Sequence, residues 1–162
     1  MKLGFFNFNT EYSIRPDDLG RACEERGYDS LWLGEHTHIP VNRRTPYPAG
    51  GELPKPYWHI MDPFVSLMAA AGVTTNLKLA TGICLLIERD PITTAKEVAT
   101  LDVLSHGRVI FGIGGGWNAE EMENHGTPFN RRWKILRERV LAMKAMWTEE
   151  EAAFEGEFVN FE

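Results

Sequence analysis

The stretch "FGIGGGWNAEEMENHG", residues 111–126, sets four glycines within five positions between an apolar run and an acidic amphipathic segment. Dinucleotide-binding turns and P-loops both put glycines at a strand-to-helix junction, and spacing tests each of them. A dinucleotide frame starting at Gly112 puts Trp117 where its last glycine should stand. A frame starting at Gly114 reaches the tolerated Ala119, but the acidic residue expected about 20 positions on falls inside a helical pattern rather than at a strand end. No Gly-Lys-Ser/Thr follows Gly116, so a P-loop is excluded. What remains is a strand-to-helix turn whose backbone N–H groups can approach a ligand just before a helix N-terminus, or a tight turn without a ligand.

The surroundings supply the architecture. Short apolar runs alternate with amphipathic segments carrying helix start and stop signals, the pattern of repeated β/α units and a parallel sheet. The strands are "KLGFFNF" (2–8), "SLWLGEH" (30–36), "LKLATGICLL" (77–86) and "RVIFGIG" (108–114). The first helix has Pro16 in its first turn, Leu19, Ala22 and Cys23 on one face, and Gly27 as its stop. The second opens on Asp62 and Pro63 and stops at Gly72. The third opens on Asp90 and Pro91, turns Ala95, Val98 and Ala99 inward, and ends near Gly107. A last helix over about 130–147 is predicted with Asn130 as its cap and Trp133, Leu136, Val140, Met143 and Trp147 facing the core. The tail, 148–162, reads as an extended segment or short hairpin.

Bulk properties narrow the partners. The 162 residues are 43% hydrophobic, enough for one domain with a core, and the formal net charge of −6 opposes a nucleic-acid footprint. Cys23 and Cys84 lack CxxC spacing, no signal peptide opens the chain, and no run approaches the ~20 apolar residues of a membrane helix. The expectation is a cytoplasmic protein with two free thiols and no membrane or nucleic-acid partner. Residues 37–61 carry five prolines and are too long for a minimal connection, so they read as a lid over a site.

In parallel sheets with flanking helices, ligands meet the carboxyl ends of the strands. That rule gathers Asn7 and Asn9, then Glu35, His36 and His38, then Gly82, Ile83, Cys84 and Leu85, then Gly114, Gly115, Gly116 and Trp117. Glu35 beside His36 offers a carboxylate and a titratable ring, a candidate acid/base or hydrogen-bonding pair. His36 and His38 also form an HxH, which admits a metal-dependent hydrolase as an alternative. The other strand ends supply no further ligands beyond one cysteine, so no metal is expected.

The ordered set "SLWLGEHTHIP", "LATGICLLIERDP", "LSHGRVIFGIGGGW" and "NHG" resembles the N-terminal half of the bacterial luciferase-like monooxygenase family, and most of all its coenzyme F420-dependent oxidoreductase branch. The resemblance implies a TIM-type (β/α)8 barrel of which about four units are present, with F420, or alternatively FMN, at the carboxyl mouth. It implies hydride transfer or monooxygenation on a small-molecule substrate. It places His36 on the family's active-site histidine with Glu35 beside it. It also places Gly82 and Ile83 where many members carry a non-prolyl cis peptide behind the isoalloxazine ring. Cofactor contacts are therefore expected from Gly82, Ile83, Cys84, Gly114, Gly115, Gly116 and Trp117. In the family's sugar-phosphate dehydrogenases a glutamate follows the strand-four glycines. Here Trp117 stands there, with Glu120 and Glu121 one turn on, which argues against sugar-phosphate oxidation.

A whole barrel needs eight units in ~250 residues, so residues 1–162 are expected to form half of one. Its inner face, assigned to Phe6, Leu33, Ile83 and Ile113, and its free strand edges favour a homo-oligomer. A non-catalytic half barrel acting as an interaction subunit is the remaining alternative.

Overall fold

The computed structural model describes residues 1–162. Strands β1 (Gly4–Asn7), β2 (Ser30–Leu33), β3 (Lys78–Thr81) and β4 (Val109–Ile110) form one parallel sheet in the order of the sequence. Helices α1 (Pro16–Glu25), α2 (Pro63–Ala71) and α3 (Pro91–Leu104) connect them, followed by α4 (Ala119–Asn124), α5 (Arg132–Thr148) and the antiparallel hairpin β5 (Phe154–Glu155) and β6 (Asn160–Phe161). The strand order never reverses, which distinguishes barrel winding from a doubly wound open sheet. Four β/α units thus make half of a (β/α)8 barrel. No helix is long and apolar enough to cross a membrane.

One face of the sheet carries the core. Leu31, Leu33 and Leu79 pack against Leu19 and Cys23 of α1, Leu67 and Ala70 of α2, Val98 and Leu101 of α3, and Met143 of α5. On the opposite face the register aligns Phe6, Trp32, Ala80 and Ile110 in a row. This corrects the inner face expected from sequence. Leu33 is fully buried and Ile113 packs on the helix-side core, because strand alternation puts Leu33 in phase with Leu31. Phe6 (48% exposed) and Ile83 (39% exposed) do remain uncovered.

The strands are shorter than their apolar runs, for local reasons. Ladder pairing of β3 stops at Thr81, the Gly82-Ile83 peptide is cis, and parallel pairing resumes in a single bridge between Cys84 and Ile113. Leu86–Glu88 then turn in a 3-10 helix, where a strand to 86 was expected. In the fourth run, the Thr81 hydroxyl takes the Gly112 carbonyl at 2.7 Å in place of a backbone partner. At the other end of the sheet, Arg108 is buried and donates to the carbonyls of Ser105, Leu77 and Ala71 and to the Thr74 hydroxyl. It ties the start of β4 to the loop after α2.

Helix ends follow the sequence signals at the two aspartate caps. Asp62 accepts from Val65 N at 2.9 Å and Asp90 from Thr93 N at 2.7 Å. The last helix departs from its expected pattern. Asn130 lies inside a 3-10 turn, Phe129–Arg131, and caps nothing. Trp133 and Trp147 are 60% and 42% exposed, while Ile135, Glu138, Ala142 and Met143 are buried. The buried face runs one residue out of phase with the aromatic spacing, since Trp133 turns to the glycine loop and Trp147 commits its indole N–H to the Ala95 carbonyl at 3.1 Å.

Gly20 marks the closest approach of α1 and α2, because a Cβ there would stand 2.8 Å from Ala70 Cβ and 3.1 Å from Ala70 Cα. Gly20→Val should cost about 1–3 kcal/mol through overpacking. Urea denaturation measures it, and an unchanged midpoint would show that the two helices can separate freely.

Candidate functional site

The carboxyl ends of the strands converge on His36. Just past β2 the chain sends Glu35 to one side and His36 to the other. Glu35 is buried and its two oxygens are committed: Oε2 accepts from Leu85 N at 2.6 Å and Oε1 from Arg89 Nε at 2.6 Å. Arg89 also pairs with Asp62 at the start of α2 and with Glu97 of α3. Although burial opposes its charge, Glu35 and Asp62 hold the guanidinium protonated well beyond the usual range. Glu35 is therefore a structural anion, which corrects its reading as an acid/base partner of His36. Adjacent residues leave an extended segment in opposite directions, so sequence neighbourhood implied a contact that the backbone forbids.

The partner of His36 is Glu121 of α4. Its Oε2 lies 2.7 Å from His36 Nδ1, and Oε2 and Oε1 accept from Asn118 Nδ2 at 3.3 Å and Thr37 N at 3.1 Å. A carboxylate surrounded by donors is the form this arrangement accommodates, so Nδ1 carries the ring proton and Nε2, which has no protein partner, faces the mouth. The His36 ring sits 5.1 Å from Tyr57 and 5.7 Å from Trp117, centroid to centroid. Tyr57 and Tyr47 come from the 37–61 insertion and meet hydroxyl to hydroxyl at 3.3 Å. Burial, with the Tyr47 hydroxyl adding to it, pushes the Tyr57 phenol up to about 12. Thr45 N donates to Glu120 Oε2 at 3.2 Å and Ala119 N donates to Thr45 Oγ1 at 3.3 Å, so the insertion is pinned across α4.

The glycines serve packing first. A Cβ at Gly112 would lie 2.3 Å from the Thr81 carbonyl oxygen, one at Gly114 2.0 Å from Ile83 Cδ1, and one at Gly115 2.7 Å from the Trp133 ring. Gly116 has φ +59°, and its Cβ would meet Met122 at 3.0 Å. The loop is glycine-rich because other parts of the chain occupy the space where side chains would stand. Gly82 and Ile83 lie on the open face, with the Gly82 Cβ position 3.3 Å from Trp32. Cys84 is fully buried in the helix-side core, and burial, reinforced by Glu35, pushes its thiol far up. Its side chain is withdrawn from the mouth.

His38 and His36 do not converge. His38 Nδ1 meets Thr37 Oγ1 at 3.0 Å and its Nε2 meets Asn124 Nδ2 at 2.9 Å. No three His, Cys, Asp or Glu side chains gather at metal-ligating separation. At the end of β1, Asn7 Nδ2, Asn9 Oδ1 and Thr10 Oγ1 are buried without a protein partner, polar groups a ligand can satisfy. The groove lined by Phe64, Val65, Met68 and Leu104 lies between α2 and α3 on the outer layer, away from these strand ends.

Sequence reasoning missed Arg89, Tyr57, Trp133 and Glu88. Arg89 and Glu88 lie in "LIERDP", where only the cap signal of Asp90 and Pro91 was legible. Burial first, then the neighbouring Glu121 and Glu35 carboxylates, pushes the Glu88 carboxyl up to about 9, with Arg89 opposing.

A half barrel with a histidine–carboxylate pair and aromatic walls at its carboxyl mouth defines a site for a flat organic ligand. The luciferase-like monooxygenase family profile matches residues 15–162, and the chain belongs to that family. An uncharacterized protein of Mycobacterium tuberculosis is 47% identical over 99% of this chain and 58% of its own length. The F420-dependent glucose-6-phosphate dehydrogenase of Kineococcus radiotolerans is 31% identical over 88% of this chain and 40% of its own. The crystal structure of monooxygenase RslO1 from Streptomyces bottropensis superposes with a TM-score of 0.82 at 26% identity, covering 99% of this chain and 47% of that one. The chain thus spans about half the length of the relatives it matches.

Arg89→Ala would strand Glu35 as an unpaired buried charge and should cost about 3–5 kcal/mol in urea denaturation. A loss under about 1 kcal/mol would mean that water replaces the guanidinium. Glu88 makes a pH prediction. Its folded pKa lies above its unfolded value, so between about 4.5 and 9 the folded state holds a proton that the unfolded state releases, and stability falls as pH rises. Glu88→Gln should flatten that decline, by up to about 1.4 kcal/mol per pH unit, in denaturation series at pH 5 and pH 8. Parallel wild-type and variant slopes would refute it.

Proposed function

We propose that this chain carries the cofactor-facing half of an oxidoreductase that binds coenzyme F420 at the strand ends, with FMN as the alternative, and acts on a small organic substrate by hydride transfer or monooxygenation. The observation that carries the reading is His36, whose Nδ1 is held by Glu121 and whose Nε2 is free of protein partners between Tyr57 and Trp117. The open face fits a flat ring. Phe6 and Ile83 are exposed apolar surface, Gly82 keeps the wall low, and the unpartnered Asn7, Asn9 and Thr10 atoms suit a polar edge.

A bound deazaflavin supplies hydride acceptance or donation, and the protein residues manage position, water and protons. Gly82, Ile83 and the Gly114–Trp117 turn would hold the ring, with Trp117 and Trp133 as side walls. Cys84 contributes its backbone there rather than its thiol. His36 Nε2 takes or returns the proton of a substrate hydroxyl, while Glu121 fixes the tautomer and balances the imidazolium. Tyr47 and Tyr57 cover the ring and exclude water. A second copy of the chain, or further β/α units, would cover the exposed Phe6, Ile83 and Ile110 face.

Fluorescence quenching titrations test the reading. F420 should bind, and His36→Ala should weaken it about fivefold to tenfold, the equivalent of one hydrogen bond. Binding of neither F420 nor FMN to the wild-type chain would sink the proposal, and an unchanged affinity of the variant for both would remove His36 from the site.

A further inference from the structure

Behind His36 lies a second carboxyl group with no assigned role. Glu88, at the end of the 3-10 turn Leu86–Glu88, has a side chain only 1% exposed, and its Oε2 finds no hydrogen-bond donor in the protein. Its polar neighbour is Glu121, itself fully buried. Two buried carboxyl groups side by side cannot both ionise, and their donors decide which one does. Glu121 receives His36 Nδ1, Thr37 N and Asn118 Nδ2, whereas Glu88 has only the distant imidazole of His125, 3.9 Å from its Oε2. The proton therefore belongs on Glu88, where its hydroxyl can donate to Glu121 and account for the orphaned oxygen.

We propose that Glu88 and Glu121 share one proton as a relay behind His36, with Glu88 storing it and His125 as the outlet to solvent. The inference rests on reading His36 as the proton-handling group of the mouth. When Nε2 takes a proton from substrate, the Nδ1 proton moves to Glu121 Oε2 and the Glu88 proton moves to His125 Nε2. The carboxyl pair holds one proton before and after, no electron moves, and the partly exposed His125 hands the proton to water. His125 suits the exit. Its Nε2 lies 2.7 Å from Thr37 Oγ1, which can donate to it, and burial followed by the neighbouring His38 lowers its pKa, so it is the neutral acceptor at ordinary pH. The charged groups facing Glu88 are Glu121, Glu35, Arg89 and His125, and Arg139 of α5 lies beyond them at the Leu86 carbonyl. Arg89 is already engaged by Glu35, Asp62 and Glu97, which leaves the shared proton as the remedy for the pair.

Glu88 and Glu121 are positioning residues, tested in the cofactor-free protein by carbon-13 carboxyl NMR and nitrogen-15 NMR of His36. Glu88 should titrate near pH 9 in the wild type, and in Glu121→Gln its midpoint should fall by at least one unit as the competing charge is removed. In Glu88→Gln the His36 tautomer should stay as it is, while exchange of its Nδ1 proton with water slows at least tenfold. A wild-type Glu88 that titrates in the ordinary carboxylate range overturns the shared proton whether or not either variant folds. An unmoved midpoint in Glu121→Gln assigns the shift to burial alone, and unchanged exchange in Glu88→Gln removes the relay. None of these readings depends on F420 or FMN, so a failed relay and a failed cofactor assignment give separate results.

Discussion

One guanidinium holds the site in register with the scaffold. Arg89 reaches Glu35 past the end of β2, Asp62 at the start of α2 and Glu97 within α3, three points otherwise joined only through the core. A buried ion pair adds little net stability over an apolar contact, because both charges give up their hydration. Its value here is positional. The Glu35 carboxylate also takes Leu85 N, so the chain beyond β3 is fixed against the chain beyond β2 at the level where a ligand would sit.

That commitment shapes the chemistry. With Glu35 turned into the scaffold, His36 needs its anion from elsewhere, and α4 supplies it in Glu121 across 85 residues of sequence. The short helix is in turn placed by the glycine turn before it and by the 37–61 insertion, whose Thr45 binds both Glu120 and Ala119 N. The insertion and α4 therefore form one unit over the His36 ring. Catalytic geometry of this kind depends on such a supporting shell, since a reacting ring misplaced by a fraction of an ångström loses its alignment.

Half a barrel presents a sheet with one finished face and one open face. The helix side closes on a leucine-rich core, and the opposite row of Phe6, Trp32, Ala80 and Ile110 is where a complete barrel packs its interior layers. Relatives of this family are longer than these 162 residues, and the open row lies on the side their remaining length would occupy.

The sequence by itself determined the β/α alternation, the caps at Asp62 and Asp90, the hairpin-like tail, the position of His36 at a strand end and the family. These follow from local rules: periodicity, Pro and Gly punctuation, and motif order. Only the tertiary structure decided what each strand-end residue touches. Glu35 and His36 are neighbours in sequence but point apart, while Glu121 and Glu88 carry no local signal of their meeting behind His36. Trp133 looked like a core residue because aromatic spacing matches helical period, yet the space beside Gly115 drew it to the mouth. Leu33 and Cys84 turned to the helix layer, because the phase of a strand is set by its partners and one residue of shift exchanges its faces. Side-chain direction at the end of a strand depends on long-range contacts, and a chain read one segment at a time does not contain them.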